Sequence, residues 1–96
     1  MQEKLIEQKL VKEIKKLGGL CPKFVSPGFA GMPDRLVLLP KGKIAFVEVK
    51  SKRLNPRPLQ VSRHKLLRNL GFKVYVLDDE KEIQIIIQNI IGGDAR

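Results

Sequence analysis

The chain begins with apolar residues at a helical period. Four of them recur at three- and four-residue spacing, namely Ile6, Leu10, Ile14 and Leu17. This spacing places them on one face of a helix that runs from about Glu3 to Leu17. Gly18 and Gly19 follow directly, and glycine commonly ends a helix because it adopts a left-handed backbone conformation without strain. The first element is therefore predicted to be an amphipathic helix.

Strand patterns follow this helix. Residues 20–25 predict a short strand, which ends at the sequence Ser-Pro-Gly. Two further apolar runs, Leu36 to Leu39 and Ile44 to Val49, are separated by a Pro-Lys-Gly-Lys turn. Two such runs joined by proline and glycine are typical of a β-hairpin.

The second half of the chain predicts a helix, a strand and a last helix. Residues 51–58, SKRLNPRP, are polar and proline-rich, and Pro58 suits the first turn of a helix that contains Leu59, Leu66, Leu67 and Leu70. Residues 72–77, FKVYVL, predict a strand. Asp79 is then the expected N-cap of a final helix, with Glu82 at the third position as in a capping box. The alternation in EIQII also fits a strand, so the sequence leaves that choice open.

These elements predict one α/β domain over residues 1–96. Their order is α-β-β-β-α-β-α, and the chain is long enough for one modest core but too short for two. A helix that connects two neighbouring strands makes them parallel, whereas the hairpin is antiparallel. The expected architecture is a mixed sheet with helices packed around it.

Charged side chains gather at one end of the predicted hairpin. Alternate side chains of a strand share a face, so Glu48 and Lys50 point the same way, and Asp34 comes beside them. Mg²⁺ takes one or two carboxylates as ligands, and the carbonyl oxygen of Val49 can supply another. A lysine beside a metal site suits phosphodiester hydrolysis. The alternative is a surface hairpin in which Glu48 and Lys50 form a solvated ion pair.

The same residues carry a resemblance to a known family. Pro33-Asp34 followed by Glu48-Val49-Lys50 resembles the PD-(D/E)XK nuclease signature. The wider pattern, which covers nearly the whole chain, resembles the VRR-NUC (virus-type replication–repair nuclease) branch of that superfamily. The resemblance implies a restriction-endonuclease-like core and a phosphodiesterase that uses Mg²⁺ or Mn²⁺.

The resemblance also implies further site residues. Glu3 and Glu7 both fall on or beside the apolar stripe of the first helix, and periodicity does not choose between them. The family's helix glutamate matches Glu7, which would join the metal site directly or through water. The glutamine of the family's PLQ motif matches Gln60. The implied catalytic set is Glu7, Asp34, Glu48, Lys50 and Gln60.

A strong positive charge points to a polyanionic partner. The net charge is +9 for 96 residues, and no acidic residue lies between Glu48 and Asp78. Because a solvated helix face normally mixes signs, this interval is predicted to follow the phosphates of a DNA duplex. The candidate DNA contacts are Ser26, Lys52, Arg53, Arg57, Arg63, Lys65 and Arg68.

The remaining features narrow the class of protein. One cysteine, Cys21, allows no disulfide within the chain and is expected to be a buried apolar residue. No segment resembles a signal peptide or a membrane span, so a soluble protein of the cytoplasm is expected.

We expect a metal-dependent DNA endonuclease that acts as a homodimer on branched DNA, such as a four-way junction. The dimer is inferred from size and analogy. The alternatives are a flap or nicking nuclease, and a basic DNA-binding module without catalysis.

Overall fold

The computed structural model describes residues 2–92. Within this range the elements follow in the order α1 (Glu3–Lys16), β1 (Arg35–Leu39), β2 (Lys43–Val49), α2 (Pro58–Asn69), β3 (Lys73–Leu77) and α3 (Ile83–Gly92). The sheet order is β1-β2-β3, in which β1 pairs antiparallel and β3 pairs parallel with the central strand β2. The predicted mixed α/β fold, with a hairpin and a parallel crossover through α2, is confirmed.

The strand predicted over residues 20–25 is present only as isolated bridges. Leu20 pairs with Leu38 and Lys23 with Arg35, both antiparallel, along the free edge of β1. Pro22 lies between them, and its carbonyl accepts a hydrogen bond from the backbone N–H of Leu36. Because proline has no N–H to return, the ladder is interrupted at this point. The segment thus covers the edge of the sheet without forming a regular strand.

Helices cover both faces of the sheet. The larger core contains Ile6, Leu10 and Ile14 of α1, the four buried isoleucines of α3 and the sheet residues that face them, such as Val47 and Val49. The predicted apolar face of α1 is therefore confirmed, except that Leu17 is exposed. A smaller cluster on the opposite face is formed by Phe46, Leu67 and Val74, with Phe24, Met32 and Leu36 packed against it.

Helix α2 does not bury the face that its leucines suggest. Of those leucines only Leu67 is buried, whereas Leu59, Leu66 and Leu70 are exposed. The other buried side chains of α2 are polar, namely Gln60 and His64. The sequence pattern was misleading because this helix covers a part of the sheet that carries a carboxylate.

The C-terminal element is a helix rather than a strand. The side chain of Asp79 accepts a hydrogen bond from the backbone N–H of Lys81, so it caps the 3-10 turn Glu80–Glu82 that precedes α3. The capping contact is thus one residue nearer than the predicted capping box. Within residues 2–92, no helix is long and apolar enough to cross a membrane.

Candidate active site

The predicted site residues meet at the end of the sheet where β1 begins and β2 ends. Pro33 is fully buried and leads the chain into Asp34. The Oδ1 atom of Asp34 accepts a hydrogen bond of 3.1 Å from the backbone N–H of Val49. This bond ties the residue before β1 to the last residue of β2. The antiparallel register of the hairpin therefore brings Asp34 beside Glu48 and Lys50.

Glu48 is a buried carboxylate on the central strand. Its side chain is 3% exposed, and its Oε2 accepts a hydrogen bond of 3.0 Å from Nε2 of Gln60. The Oε1 atom of Gln60 in turn accepts the backbone N–H of Arg57 at 2.8 Å. Gln60 thus binds the backbone N–H just before α2 and the carboxylate of Glu48 at the same time, because its amide oxygen accepts a hydrogen bond and its amide nitrogen donates one.

The second oxygen of Glu48 has no hydrogen-bond partner among the described residues. It lies 3.9 Å from Nε2 of His64, which is also buried and also unpartnered. This separation is too long for a hydrogen bond. His64 is not among the site residues predicted from the sequence. The available signal was its spacing of four from Gln60, which places both side chains on one face of α2.

Lys50 completes the cluster. Its Nζ lies 3.6 Å from Oε2 of Glu48, and its side chain is 17% exposed. The alternative of a solvated surface ion pair does not describe this pair, since the carboxylate partner is buried. The ammonium group reaches the carboxylate from the open end of the sheet, while Gln60 reaches it from α2.

Burial and like charge shape the electrostatics of the site. Burial raises the pKa of Glu48 to about 7, and the negative charge of Asp34 adds to this effect, which Lys50 partly offsets. Burial also raises the pKa of Asp34, and the charges of Glu7 and Glu3 raise it further. The environment thus disfavours negative charge on both carboxyl groups, which is the condition that a bound cation would relieve.

The two candidate glutamates of α1, Glu3 and Glu7, occupy different environments. Glu7 accepts a hydrogen bond of 2.8 Å from Nε of Arg35, whose guanidinium also donates to the carbonyl oxygen of Cys21. Arg35 therefore pairs locally. The negative charge of Glu7 raises the pKa of Asp34, whereas that of Glu3 raises the pKa of both Asp34 and Glu48.

Burial raises the pKa of Cys21 to about 11, which keeps the thiol protonated and unreactive.

The donor atoms fit a hard divalent cation. Within residues 2–92, no three side chains of His, Cys, Asp or Glu converge as a ready-made metal site. Asp34 and Glu48 nevertheless provide two adjacent carboxylates, and the carbonyl of Val49 lies between Glu48 and Lys50 in the chain. One or two carboxylates with several waters are sufficient for Mg²⁺. The unpartnered oxygen of Glu48 is consistent with such a ligand.

The candidate DNA contacts have several environments. The guanidinium of Arg63 donates to the carbonyl of Ala30 and lies 3.9 Å from the ring centre of Phe29. Arg68 donates to the carbonyl of Val74, and Lys52 lies 4.0 Å from Asp79. Ser26 is half-buried in the loop, and the exposed cationic candidates without such contacts in residues 2–92 are Arg53, Arg57 and Lys65.

Two comparisons with known proteins find relatives, and no protein-family model matches. The chain is 51% identical over 80 residues to "Putative nuclease p44" of Acyrthosiphon pisum secondary endosymbiont phage 1; the match covers 83% of this chain and 86% of that protein. A solved structure described as "VRR_NUC domain" superposes with a TM-score of 0.84 at 32% identity, covering 92% of this chain and 97% of the other.

Replacing the buried carboxylate should stabilise the metal-free protein. Because the pKa of Glu48 is raised from 4.5 to about 7, the folded state binds more protons in this range, and stability falls as the pH rises through it. Glu48→Gln removes a penalty of ~1–3 kcal/mol. At pH 8 in EDTA its Tm should exceed that of wild type by at least about 4 °C, and the difference should vanish near pH 4.5.

The exposed Glu82 supplies the control for these melting curves. Glu82→Gln removes the same charge and should leave Tm nearly unchanged at either pH. Equal melting of wild type and Glu48→Gln at pH 8 would show that Glu48 carries no burial penalty.

Proposed function

The chain belongs to the VRR-NUC nuclease family, and on this premise we propose that it is a metal-dependent endonuclease that hydrolyses phosphodiester bonds in DNA. The observation that carries the proposal is the environment of Glu48. This carboxylate is buried beside Asp34, one of its oxygens is unpartnered, and Lys50 stands 3.6 Å from the other. A structural ion pair would leave neither a repelling second carboxylate nor a buried orphan oxygen.

The proposed cofactor is Mg²⁺ or Mn²⁺. The carboxylates of Asp34 and Glu48 and the carbonyl of Val49 would hold it, with Glu7 joining directly or through water. When bound, such a cation polarises a phosphoryl oxygen and lowers the pKa of water so that it can act as a nucleophile. Cation binding also removes the repulsion between the two carboxylates, which favours their ionised forms.

The protein's own groups would orient the reactants. Gln60 holds Oε2 of Glu48, so the direction of the carboxylate is fixed before a cation arrives. The ammonium group of Lys50 would orient the attacking water and stabilise the negative charge that grows on the phosphate. Lys50 is suited to this because its Nζ is already held near Glu48 by charge attraction.

The proposed substrate is branched duplex DNA. A net charge of +9 supports a polyanionic substrate. Phosphate contacts are assigned to Ser26 and to the basic residues from Lys52 to Arg68, of which Arg53, Arg57 and Lys65 are exposed and have no side-chain hydrogen bond or ion pair within residues 2–92. The alternatives are a flap or nicking nuclease, and a DNA-binding module without catalysis.

A homodimer is part of this proposal. The outward face of α2 carries Leu59, Leu66 and Leu70, which are 45%, 44% and 67% exposed. Their spacing puts them on one stripe of the helix, about 100° around the helix axis from its buried face. An exposed apolar stripe is a surface that a second copy could cover, and two copies would carry two active sites to one junction.

Cleavage should require both the metal and the lysine. In Mg²⁺ or Mn²⁺ the protein should nick a supercoiled plasmid, and EDTA should abolish this. Asp34→Asn should remove cleavage while leaving DNA binding intact or stronger. Lys50→Ala should lower the single-turnover rate by ~10²–10³ with little change in metal affinity.

Lys43 at the other end of β2 provides the matched control for Lys50. Lys43→Ala should cut at the wild-type rate. Cleavage that persists in EDTA, or a Lys50→Ala variant as fast as wild type at saturating metal, would contradict the proposed chemistry.

Glu7 and Glu3 should differ in both activity and stability. Glu7→Gln should slow single-turnover cleavage far more than Glu3→Gln, if Glu7 is the α1 member of the site. It should also lower Tm slightly, because Arg35, whose side chain is 13% exposed, loses its charge partner. Cleavage and melting of the two variants, with and without Mg²⁺, check this. Loss of cleavage in Glu3→Gln alone would assign the role to Glu3.

Dimer formation should determine how branched DNA is cut. Light scattering should give about twice the 10.9 kDa chain mass for wild type. Leu66→Glu should give a monomer that loses paired cuts in a four-way junction, because a charge is unfavourable in an apolar interface. Ile85→Glu, an exposed site on α3, is the control. Preferential cutting of flaps or forks in the same labelled panel would favour the alternative substrates.

A further inference from the structure

A concave surface along α1 is not accounted for by the proposed DNA contacts. It lies between α1 and the segment that covers the edge of β1, and it encloses about 730 Å³. Its lining includes Lys4, Lys12 and Lys15 of the helix and Lys23 of the edge segment. We call this surface the α1 groove. None of the candidate DNA contacts chosen from the sequence lies in it.

The α1 groove is strongly positive. Its lining has six cationic side chains and one carboxylate, a net charge of +5 in a chain whose total is +9. The single carboxylate, Glu7, is already paired with Arg35. The aliphatic part of a lysine side chain can pack against apolar surface while its ammonium group stays in water, so the apolar Val11 can line the groove together with these lysines. The net positive charge of the groove therefore favours binding of an anion.

Two further acidic residues near α1 pair with its lysines. Lys9, outside the groove, pairs with Glu80, and Lys16, which lines the groove, pairs with Glu13 at 3.1 Å. By contrast, no carboxylate oxygen of residues 2–92 lies within 4.0 Å of the ammonium groups of Lys4, Lys12, Lys15 or Lys23. A groove with so little internal neutralisation is favourable for an external polyanion.

The groove begins beside the candidate active site. Glu7 and Arg35 line it, Arg35 directly follows Asp34 in the chain, and the charge of Glu7 acts on Asp34. From there the basic residues extend along α1 to Lys15. The distance from Lys4 to Lys15 is about 16 Å at 1.5 Å per residue, which corresponds to about five base pairs of duplex DNA.

We propose that the α1 groove binds the phosphate backbone of a duplex DNA arm that leads away from the cleavage point. No aromatic side chain lines the groove within the described residues, so it offers no surface for stacking single-stranded bases. Charge complementarity with a regular phosphate backbone remains as the binding mode. The inference rests on the proposed DNA nuclease function and adds a second track to the basic residues around α2.

The salt dependence of binding tests this inference. A labelled 16-base-pair duplex is titrated with protein on the Asp34→Asn background, which keeps the DNA intact, over a series of salt concentrations. Lys12→Gln with Lys15→Gln should weaken binding and reduce the slope of log affinity against log salt by up to about 1.8, or ~0.9 for each phosphate contact. Both positions are exposed, and glutamine keeps helix propensity, so folding should be preserved.

Two further double variants complete the experiment. Lys41→Gln with Lys43→Gln removes the same charge at the turn of the hairpin, whose lysines do not line the groove, and should leave the slope unchanged. Arg53→Gln with Arg57→Gln reports on the proposed α2 contacts separately. An unchanged slope for the Lys12 and Lys15 variant, or a loss no larger than that of the turn variant, would overturn the groove assignment.

The result separates this inference from the function on which it rests. If the wild-type chain cuts DNA and the groove variant keeps its slope, only the groove assignment fails. If the wild-type chain neither binds nor cuts DNA, the proposed function fails. A slope change with single-stranded DNA but not with duplex would contradict the duplex arm.

Discussion

The rest of the site depends on a carboxylate that is buried on the central strand. Glu48 is 3% exposed, and a buried charge is unfavourable unless hydrogen bonds or opposite charges compensate for it. This constraint accounts for the unusual composition of α2, which turns Gln60 and His64 inward while three of its leucines face solvent. One oxygen of Glu48 is satisfied by Gln60 and approached by Lys50, and the other is left without a partner.

The two faces of the sheet have different roles. On one face, α1 and α3 pack against the sheet through a large, entirely apolar cluster. On the other face, a small apolar cluster around Phe46 shares the space with the polar site. An uncompensated oxygen and two repelling carboxylates destabilise the second face, and the packing on the first face offsets this. Sites that bind or react are commonly less stable than the scaffold that holds them.

Helix α1 connects the site with the protein surface. Its inward side contributes Ile6, Leu10 and Ile14 to the core. Its start brings Glu3 and Glu7 toward Asp34, and its outer flank lines a basic groove. A single helix therefore fixes the position of the acidic groups and of the surrounding positive charge relative to each other. The acidic groups proposed to bind a cation thus lie beside the cationic groups proposed to bind phosphate, and the Glu7–Arg35 pair lies where the two meet.

The hairpin, the first two helices and the meeting of Asp34, Glu48 and Lys50 could be predicted from the sequence. They follow from local rules, because periodicity, turn residues and strand alternation act over a few neighbouring residues. The family was indicated by resemblance, whereas the strand over residues 20–25 and the choice between helix and strand for the last element were not settled by local pattern. The buried side of α2, the partner of Glu7 and the position of the basic groove could not be predicted from the sequence. Each depends on residues distant in the chain: Glu48 opposite Gln60, Arg35 opposite Glu7, and Lys23 opposite α1. Such contacts are set by packing of the whole domain, which no local pattern encodes.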